Sequence, residues 1–354
     1  MHHWLERVGR VNGMLYFQRH GIAVGDANGD GRDDVYLCQP AGLPNKLFLH
    51  QEDGSAVDAS RDLGVDWLDN TASTLFVDLD NDGDQDLVLA TFEGTRVLEN
   101  APGGGFREVA SLSSPDRDLH ALSAVDYDRD GDLDLYLAMR DGPNRLFEQD
   151  AGRFTDRAAE LGLDDARRSV GAVWFDDGDG WLDVVVANMN GDANGLYLGG
   201  VSGFLESADE VIRGGGRSLG DEAEGSVRPC AVDFDTDGDF DLFFANYGSN
   251  ALLERTQEAW IDRASELGVA NPSRYDTCTW ADFDHDGSLD LFVNGTVGGG
   301  THYRDWLMRR EGGPGFLDVT PTEILERNAS HGATWVDFDM DGDLDLSLAG
   351  AAED

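Results

Sequence analysis

The chain runs to 354 residues, long for one compact core, and its 40% hydrophobic content supplies a real core and excludes general disorder. Lys and Arg number 26 against 70 Asp and Glu, a formal net charge of −44. That sign excludes nucleic acid and anionic membrane surfaces as partners, and suits cations, basic proteins or neutral small molecules.

No apolar run approaches the roughly 20 residues needed to cross a bilayer, so membrane insertion is not expected. The start, MHHWLERVGR, has no apolar signal-peptide region. Localisation is therefore open: secreted or periplasmic with a leader removed, cytoplasmic if the chain is native as written. The three cysteines, Cys38, Cys230 and Cys278, do not resemble a disulfide framework in a chain this long, and buried free thiols are expected.

In chain order, seven segments share the pattern apolar-x-Asp-x-Asp-x-Asp-Gly-x-x-Asp followed by an apolar run. They read GDANGDGRDDVYLC, VDLDNDGDQDLVLA, VDYDRDGDLDLYLA, FDDGDGWLDVVVAN, VDFDTDGDFDLFFAN, ADFDHDGSLDLFVNG and VDFDMDGDLDLSLAG. Their first acids are Asp26, Asp78, Asp126, Asp176, Asp233, Asp282 and Asp337, at intervals of 52, 48, 50, 57, 49 and 55. Each repeat carries four strand candidates. One precedes the loop (STLFVD, GAVWFD) and one follows it (DLVLA, DLYLA). A third begins at Asn45, Asn144, Asn194 or Asn250, and a fourth at Phe106, Phe154, Phe204, Trp260 or Phe316. Helical signals, RAAELGL and RASELGV, fall only between a fourth strand and the next repeat.

A period near 50 built of short strands predicts an all-β, seven-bladed β-propeller over residues 1–354, its blades centred on loops at 26–34, 78–86, 126–134, 176–183, 233–241, 282–290 and 337–345. Trp4 lies 22 residues before Asp26, as Trp260 does before Asp282, so the N-terminal segment is expected to close the ring as a fourth strand. The chain stops at Asp354, before a third strand of the seventh blade, which predicts a three-stranded closing blade or a chain trimmed at its end.

Oxygen donors at positions 1, 3, 5 and 9 of each loop, with Gly at position 6, suit a hard cation. The candidate ligands are Asp26, Asn28, Asp30 and Asp34; Asp78, Asp80, Asp82 and Asp86; Asp126, Asp128, Asp130 and Asp134; Asp176, Asp177, Asp179 and Asp183. They continue with Asp233, Asp235, Asp237 and Asp241; Asp282, Asp284, Asp286 and Asp290; Asp337, Asp339, Asp341 and Asp345. The loops hold 32 Asp residues, which without a cation would repel one another severely. Ca²⁺ fits better than Mg²⁺, which prefers a smaller octahedral shell with its own waters, and strands rather than EF-hand helices flank the loops. Seven Ca²⁺ would bring the charge from −44 to −30. Loop one substitutes Asn28, loop six has Ser288 at position 7, and loop four is one residue short and the expected place for distortion or vacancy.

The repeats resemble the FG-GAP/VCBS family, whose seven-bladed propellers include the integrin α head. The phrases NRLFEQDAGRFTDRAAELGL and NALLERTQEAWIDRASELGV resemble the cartilage acidic protein and ASPIC/UnbV branch. The resemblance covers nearly the whole chain and implies the propeller fold and calcium binding. Members of that branch are described as secreted acidic adhesion or matrix proteins, and UnbV-like ones are associated with enediyne biosynthesis. The additional C-terminal segment of many of them is absent here. The resemblance also places ligands on the face opposite the calcium loops.

Six residues before each first Asp stand His20, Ala72, His120, Val170, Val227, Asp276 and His331. If equivalent positions ring an axis, His20, His120, His331 and Asp276 form a candidate acid–base site or a second, transition-metal site. The plainer alternative, a histidine that merely hydrogen-bonds at a strand start, stays open. Arg19, Arg117, Arg274 and Tyr275 lie nearby. Two Gly-rich insertions, Arg213–Ser226 and Asn294–Trp306, extend the same face. Trp174, Trp280 and Trp335 are expected to pack in the core. No nucleophile elbow, phosphate loop, dinucleotide fingerprint or Cys-x-x-Cys pair occurs. Two functions remain: a calcium-stabilised module that recognises a protein, glycan or small molecule on the insertion face, or an enzyme of natural-product biosynthesis with an axial His-lined pocket.

Overall fold

The computed structural model describes residues 21–39, 41–101, 105–112, 119–207, 225–256, 259–298, 301–310, 312–313, 315–326, 329–336 and 342–350. The chain divides into two compact units, Met1–Ala166 and Arg167–Asp354. In the first unit each repeat folds into a four-stranded antiparallel meander. Sheet one holds β1 (Ile22–Gly25), β2 (Asp34–Leu37), β3 (Lys46–His50) and β4 (Ala56–Asp58). Sheet two holds β5 (Thr71–Val77), β6 (Asp86–Thr91), β7 (Gly94–Asn100) and β8 (Phe106–Leu112), and sheet three β9 (Leu119–Val125), β10 (Asp134–Met139), β11 (Arg145–Asp150) and β12 (Arg153–Asp156).

The second unit repeats the scheme. Sheet four is β13 (Ser169–Phe175), β14 (Asp183–Asn188), β15 (Gly195–Leu198) and β16 (Leu205–Glu206). Sheet five is β17 (Gly225–Val232), β18 (Asp241–Gly248), β19 (Ala251–Arg255) and β20 (Trp260–Asp262). Sheet six is β21 (Ser273–Ala281), β22 (Asp290–Gly295), β25 (Trp306–Arg310) and β26 (Phe316–Asp318), with a hairpin of β23 (Val297–Gly298) and β24 (Thr301–His302) inserted. A bridge from Tyr247 to Arg274 and from Gly248 to Ser273 joins sheets five and six. A last pair, β27 (Ser330–Val336) and β28 (Asp345–Gly350), follows.

Burial falls from the second strand outward. β6, β10, β14 and β22 are buried at every residue, which is why they read as unbroken apolar runs, whereas β4 and β16 are wholly exposed. Each sheet shares a core with the next in its unit. Tyr36 and Leu47 pack with Leu87 and Leu98, and Val88 with Leu135 and Phe147. Val185 packs with Leu242 and Phe244, and Phe243 with Leu291 and Met308. Trp280 is wedged edge-on between Phe243 and Phe316, 5.8 and 5.9 Å away, and Trp174 meets Phe204 at 5.8 Å, so both pack as expected. The strand-three asparagines fasten the other end. Asn45 accepts from the Gln39 N–H and donates to Thr71 of the next sheet, and Asn194 does the same with Asn188 and Ser226.

Short helices lie where expected, α1 (Ala158–Leu161) and α2 (Ala264–Leu267), each stopped by a left-handed Gly, Gly162 or Gly268. A third, α3 (Thr322–Leu325), carried no sequence signal. No helix among the described residues is long and apolar enough to cross a membrane.

The expectation of three free thiols is corrected in part. Cys230 on β17 and Cys278 on β21 form a disulfide with Cα atoms 6.6 Å apart, while Cys38 is free and buried. Their separation of 48 residues is about one repeat, which sets them on neighbouring first strands. Alkylation of the unfolded, unreduced chain should therefore label one cysteine. Labelling of all three would contradict the pairing.

Candidate functional site

Position 9 anchors the first six loops. Asp34, Asp86, Asp134, Asp183, Asp241 and Asp290 are at most 3% exposed, because each opens a buried second strand. One oxygen accepts a backbone N–H at the end of the third strand: His50, Asn100, Gln149, Gly199, Arg255 or Arg310, at 2.8–2.9 Å. The other accepts the position-2 N–H of its own loop, from Ala27, Leu79, Tyr127, Phe234 or Phe283, at 3.0–3.2 Å. Loop four breaks this pattern for a visible reason. Asp176 is followed at once by Asp177, so the residue it lacks is position 2, and Asp183 Oδ2 is buried without a hydrogen-bond donor.

The remaining positions fold the chain inward. Asp78, Asp126, Asp233 and Asp282 accept the N–H of the position-6 glycines Gly83, Gly131, Gly238 and Gly287 at 3.0–3.2 Å. These glycines have φ of 88–97° with open space where a Cβ would stand, so backbone conformation and not crowding requires them. Position 4 is also left-handed at Asn81, Arg129, Thr236 and His285, φ 57–64°, a feature the sequence reading missed because the residue types differ.

Carboxylate oxygens consequently converge. Asp78, Asp80 and Asp82; Asp126, Asp128 and Asp134; Asp176, Asp177 and Asp179; Asp233, Asp235 and Asp241; and Asp282, Asp284 and Asp290 each offer one oxygen within 4.8 Å of the others. Asp78 Oδ1 and Asp126 Oδ1 are buried with no hydrogen-bond donor. Converging hard oxygens, some of them without donors, fit a metal ion that would supply the missing positive charge. Loop one keeps the backbone scaffold, with the Asp30 N–H donating to Asp26 and Asn28, both at 3.0 Å, but among the described residues it brings no three carboxylates together and its Asp30 pairs with Arg32. Asp337, Asp339 and Asp341 lie outside the described residues, and Asp345 opens β28 but is exposed, unlike position 9 of the other loops.

The FG-GAP-like repeat profile matches residues 26–89, 78–137, 126–186 and 233–293, more than half of the chain. The chain belongs to the FG-GAP-like repeat family. None of the curated proteins compared with it matches. Solved structures share the fold. A protein from Lactobacillus plantarum is 10% identical, with a TM-score of 0.54 over 84% of this chain and 83% of its own. An Agrocybe aegerita lectin, solved for its recognition of non-reducing terminal N-acetylglucosamine, is 16% identical, with a TM-score of 0.51 over 87% of this chain and 81% of its own. BBS1N, solved in complex with ARL6DN, is 10% identical, with a TM-score of 0.50 over 83% and 81%.

Burial dominates the electrostatics of these FG-GAP-like loops. It pushes the position-9 carboxyls up, Asp86 and Asp290 to about 6 and Asp134, Asp183 and Asp241 to about 7, against the pull of backbone donors and with neighbouring carboxylates adding to the rise. The sign follows from the raised values. The metal-free fold holds protons that the unfolded chain releases, so its stability declines as pH rises between about 4 and 7. A cation competes with those protons. Calcium affinity at pH 7.5 should exceed that at pH 5.5 by roughly 4- to 25-fold, measured by calorimetric titration. Equal affinities would contradict the burial of these carboxyls.

The loops are also tied to the next FG-GAP-like repeat. Asn100 Nδ2 donates to Ala27 O at 3.0 Å and Gln149 Nε2 to Leu79 O at 2.6 Å, reaching position 2 of the preceding loop. Arg255 pairs with Asp177 at 3.2 Å, and Arg310 stacks over Phe234. These residues also donate the main-chain N–H that holds position 9 of their own loop, so each couples two loops. Sequence reasoning missed them; their only signal is a regular place at the end of the third strand.

At the other end of the first strands, the sequence register proves structural. Register shifts fall at Ala72, His120, Val170, Val227, Asp276 and His331, each a β-bulge residue at the start of its strand. His120 is half-buried on β9, while His20, Arg19 and Arg117 lie outside the described residues and His331 is described only in its backbone. Asp276 accepts the Tyr247 hydroxyl at 3.0 Å. Burial, with Asp276 beside it, pushes that phenol up to about 12, so it donates at neutral pH. Arg274 lies over the rings of Tyr247 and Tyr303, 5.2 and 5.8 Å away. Arg228 is exposed on β17, with the Asp276 carboxylate favouring its charge.

Proposed function

We propose that the chain is a single seven-bladed, calcium-loaded β-propeller, residues 1–354, acting as a recognition module through the blade ends opposite the cation loops. The carrying observation is in sheet six. Its cation loop joins β21 to β22 at one end, and the insertion at the other end folds as a hairpin leading to Tyr303 over Arg274. Elaboration at that end of a rigid scaffold is what ligand recognition requires.

Seven repeats and the stacking of consecutive sheets support the propeller. Ile22 and Val24 of β1 are 56% and 58% exposed. By repeat register they correspond to Thr74 and Phe76, and Phe76 packs against Tyr36 of the preceding sheet, ring centroids 6.4 Å apart. A seventh blade completed by the segment around Trp4 would cover them. Ca²⁺ suits oxygen-rich loops of this kind better than Mg²⁺, at up to one ion per loop. The disulfide suits an oxidising compartment, consistent with the secreted character of the cartilage acidic protein branch. A lectin shares the fold, which favours a glycan among the candidate ligands.

The test is a panel of glycans and extracellular proteins presented to the calcium-loaded chain. A saturable ligand whose binding falls on Tyr303→Ala and survives Asp84→Asn, on the loop side, supports the reading. Loss through Asp84→Asn with indifference to Tyr303→Ala would overturn it.

A further inference from the structure

The geometry points to a receptor for a single carboxylate, carried on an otherwise uncharged hexuronic acid, built around Arg274 by the hairpin of sheet six. This rests on the recognition reading for the end of the blades at which a ligand arrives, and adds which residues take it and what they take.

Most of the cations among the described residues are paired with acids of the chain itself. Arg96 pairs with Asp69 and Glu108, Arg157 with Glu148, Arg263 with Glu254, and Arg304 with Asp318. Among the described residues, Arg274 forms no ion pair and its side chain no hydrogen bond; its contacts are with two tyrosine rings. Stacking of this kind fixes the plane of a guanidinium while leaving its edge N–H groups to point outward as a fork, the geometry that matches a carboxylate with two parallel hydrogen bonds.

The cage is held by main chain. β18 runs to Gly248, two residues beyond the end of β14 relative to its loop, and its Tyr247 bridges to Arg274. The Tyr303 N–H donates to Thr296 O at 2.9 Å, and Tyr303 O accepts from the Ala329 N–H at 3.0 Å. A Cβ at Gly295 would lie 2.1 Å from Tyr303 O, so glycine is what lets the hairpin return this closely. Asp305, 1% exposed, accepts from the Gly295 N–H at 2.6 Å and from Ser330 Oγ at 2.8 Å. Little side-chain freedom remains for a ligand to freeze.

Charge selects the ligand. Of the carboxylates here, Asp276 accepts the Tyr247 hydroxyl and faces Arg228, and the buried Asp305 is engaged by the Gly295 and Ser330 N–H groups, which leaves Arg274 for a ligand. Arg274 is thus a guanidinium without an ion pair among the described residues, in a chain of net charge −44. One carboxylate is attracted, whereas a polyanion would meet the repulsion of the whole surface. Tyrosine rings and the exposed Thr301 and His302 at the hairpin suit the mixed apolar and hydroxylated faces of a sugar.

The calcium-loaded full chain should be titrated with glucuronate, glucose and inorganic phosphate, followed by calorimetry and ligand-observed NMR. Saturable glucuronate binding is expected, with glucose and phosphate each weaker by about tenfold or more. Arg274→Lys keeps the charge but loses the fork and the stacking, and should weaken glucuronate by about tenfold while leaving calcium content and melting temperature unchanged. Tyr303→Ala should move binding the same way. Absence of saturation by glucuronate, equal binding of phosphate, or unchanged affinity in Arg274→Lys would each overturn the inference. A different ligand that binds this end and survives Arg274→Lys would overturn it while leaving the recognition reading intact.

Discussion

Calcium chelation should lower the melting temperature of this protein by more than about 10 °C. Five loops each bring three carboxylate oxygens within 4.8 Å of one another, and position 9 is buried in all six described loops. A site filled at about 100 times its dissociation constant stabilises the fold by about 2.7 kcal/mol, and several sites in one cooperative unit add. In the ion's absence, like charges at these distances oppose folding, and burial removes the water that would screen them. The loops also reach one another, since Asn81 Nδ2 donates to Gly131 O at 3.0 Å and Asn100 and Gln149 grip position 2 of the preceding loop. Loosening one loop therefore loosens the next. Differential scanning calorimetry with calcium and with excess chelator decides the matter, and a shift below about 2 °C would contradict a structural role for the loops.

Position 9 should be the most sensitive site in the chain, and unequally so between repeats. Asp134 accepts the Tyr127 N–H at 3.2 Å and the Gln149 N–H at 2.8 Å, fixing both the loop and the end of strand three. Asp134→Ala leaves both buried N–H donors unsatisfied and should cost about 2–5 kcal/mol in chelator. Asp183→Ala removes only the bond to the Gly199 N–H, because loop four has no position-2 donor. Its cost in chelator should be smaller, about 1.5–3 kcal/mol. Urea unfolding of the two variants checks the order. Equal costs would mean that the position-2 bond contributes nothing.

Much of this was legible because the chemistry repeats. Asp-x-Asp-x-Asp-Gly at a spacing near 50 residues fixes where the first strand ends and the second begins, and the same register located the bulge residues from Ala72 to His331. Strands lacking the shared motif were harder. β7, GTRVLEN, has no leading Asn-x-Leu-Phe, and so had no counterpart among the third strands expected. The deletion in loop four was visible, but that it removes the position-2 donor needed the hydrogen bonds of the other loops. Cys230 and Cys278 looked unpaired because their contact depends on how first strands sit side by side, which spacing alone does not state. The insertion of sheet six was legible as surface, whereas its work, setting Tyr303 over Arg274, depends on the close return at Gly295.

The most direct test of the central claim is a count of bound ions by native mass spectrometry of the full chain in calcium. Five to seven retained calcium ions, with one fewer in each single position-9 variant, is the result expected from the loops. A chain that retains none, or a count unchanged by Asp86→Ala, Asp134→Ala and Asp241→Ala, would contradict it.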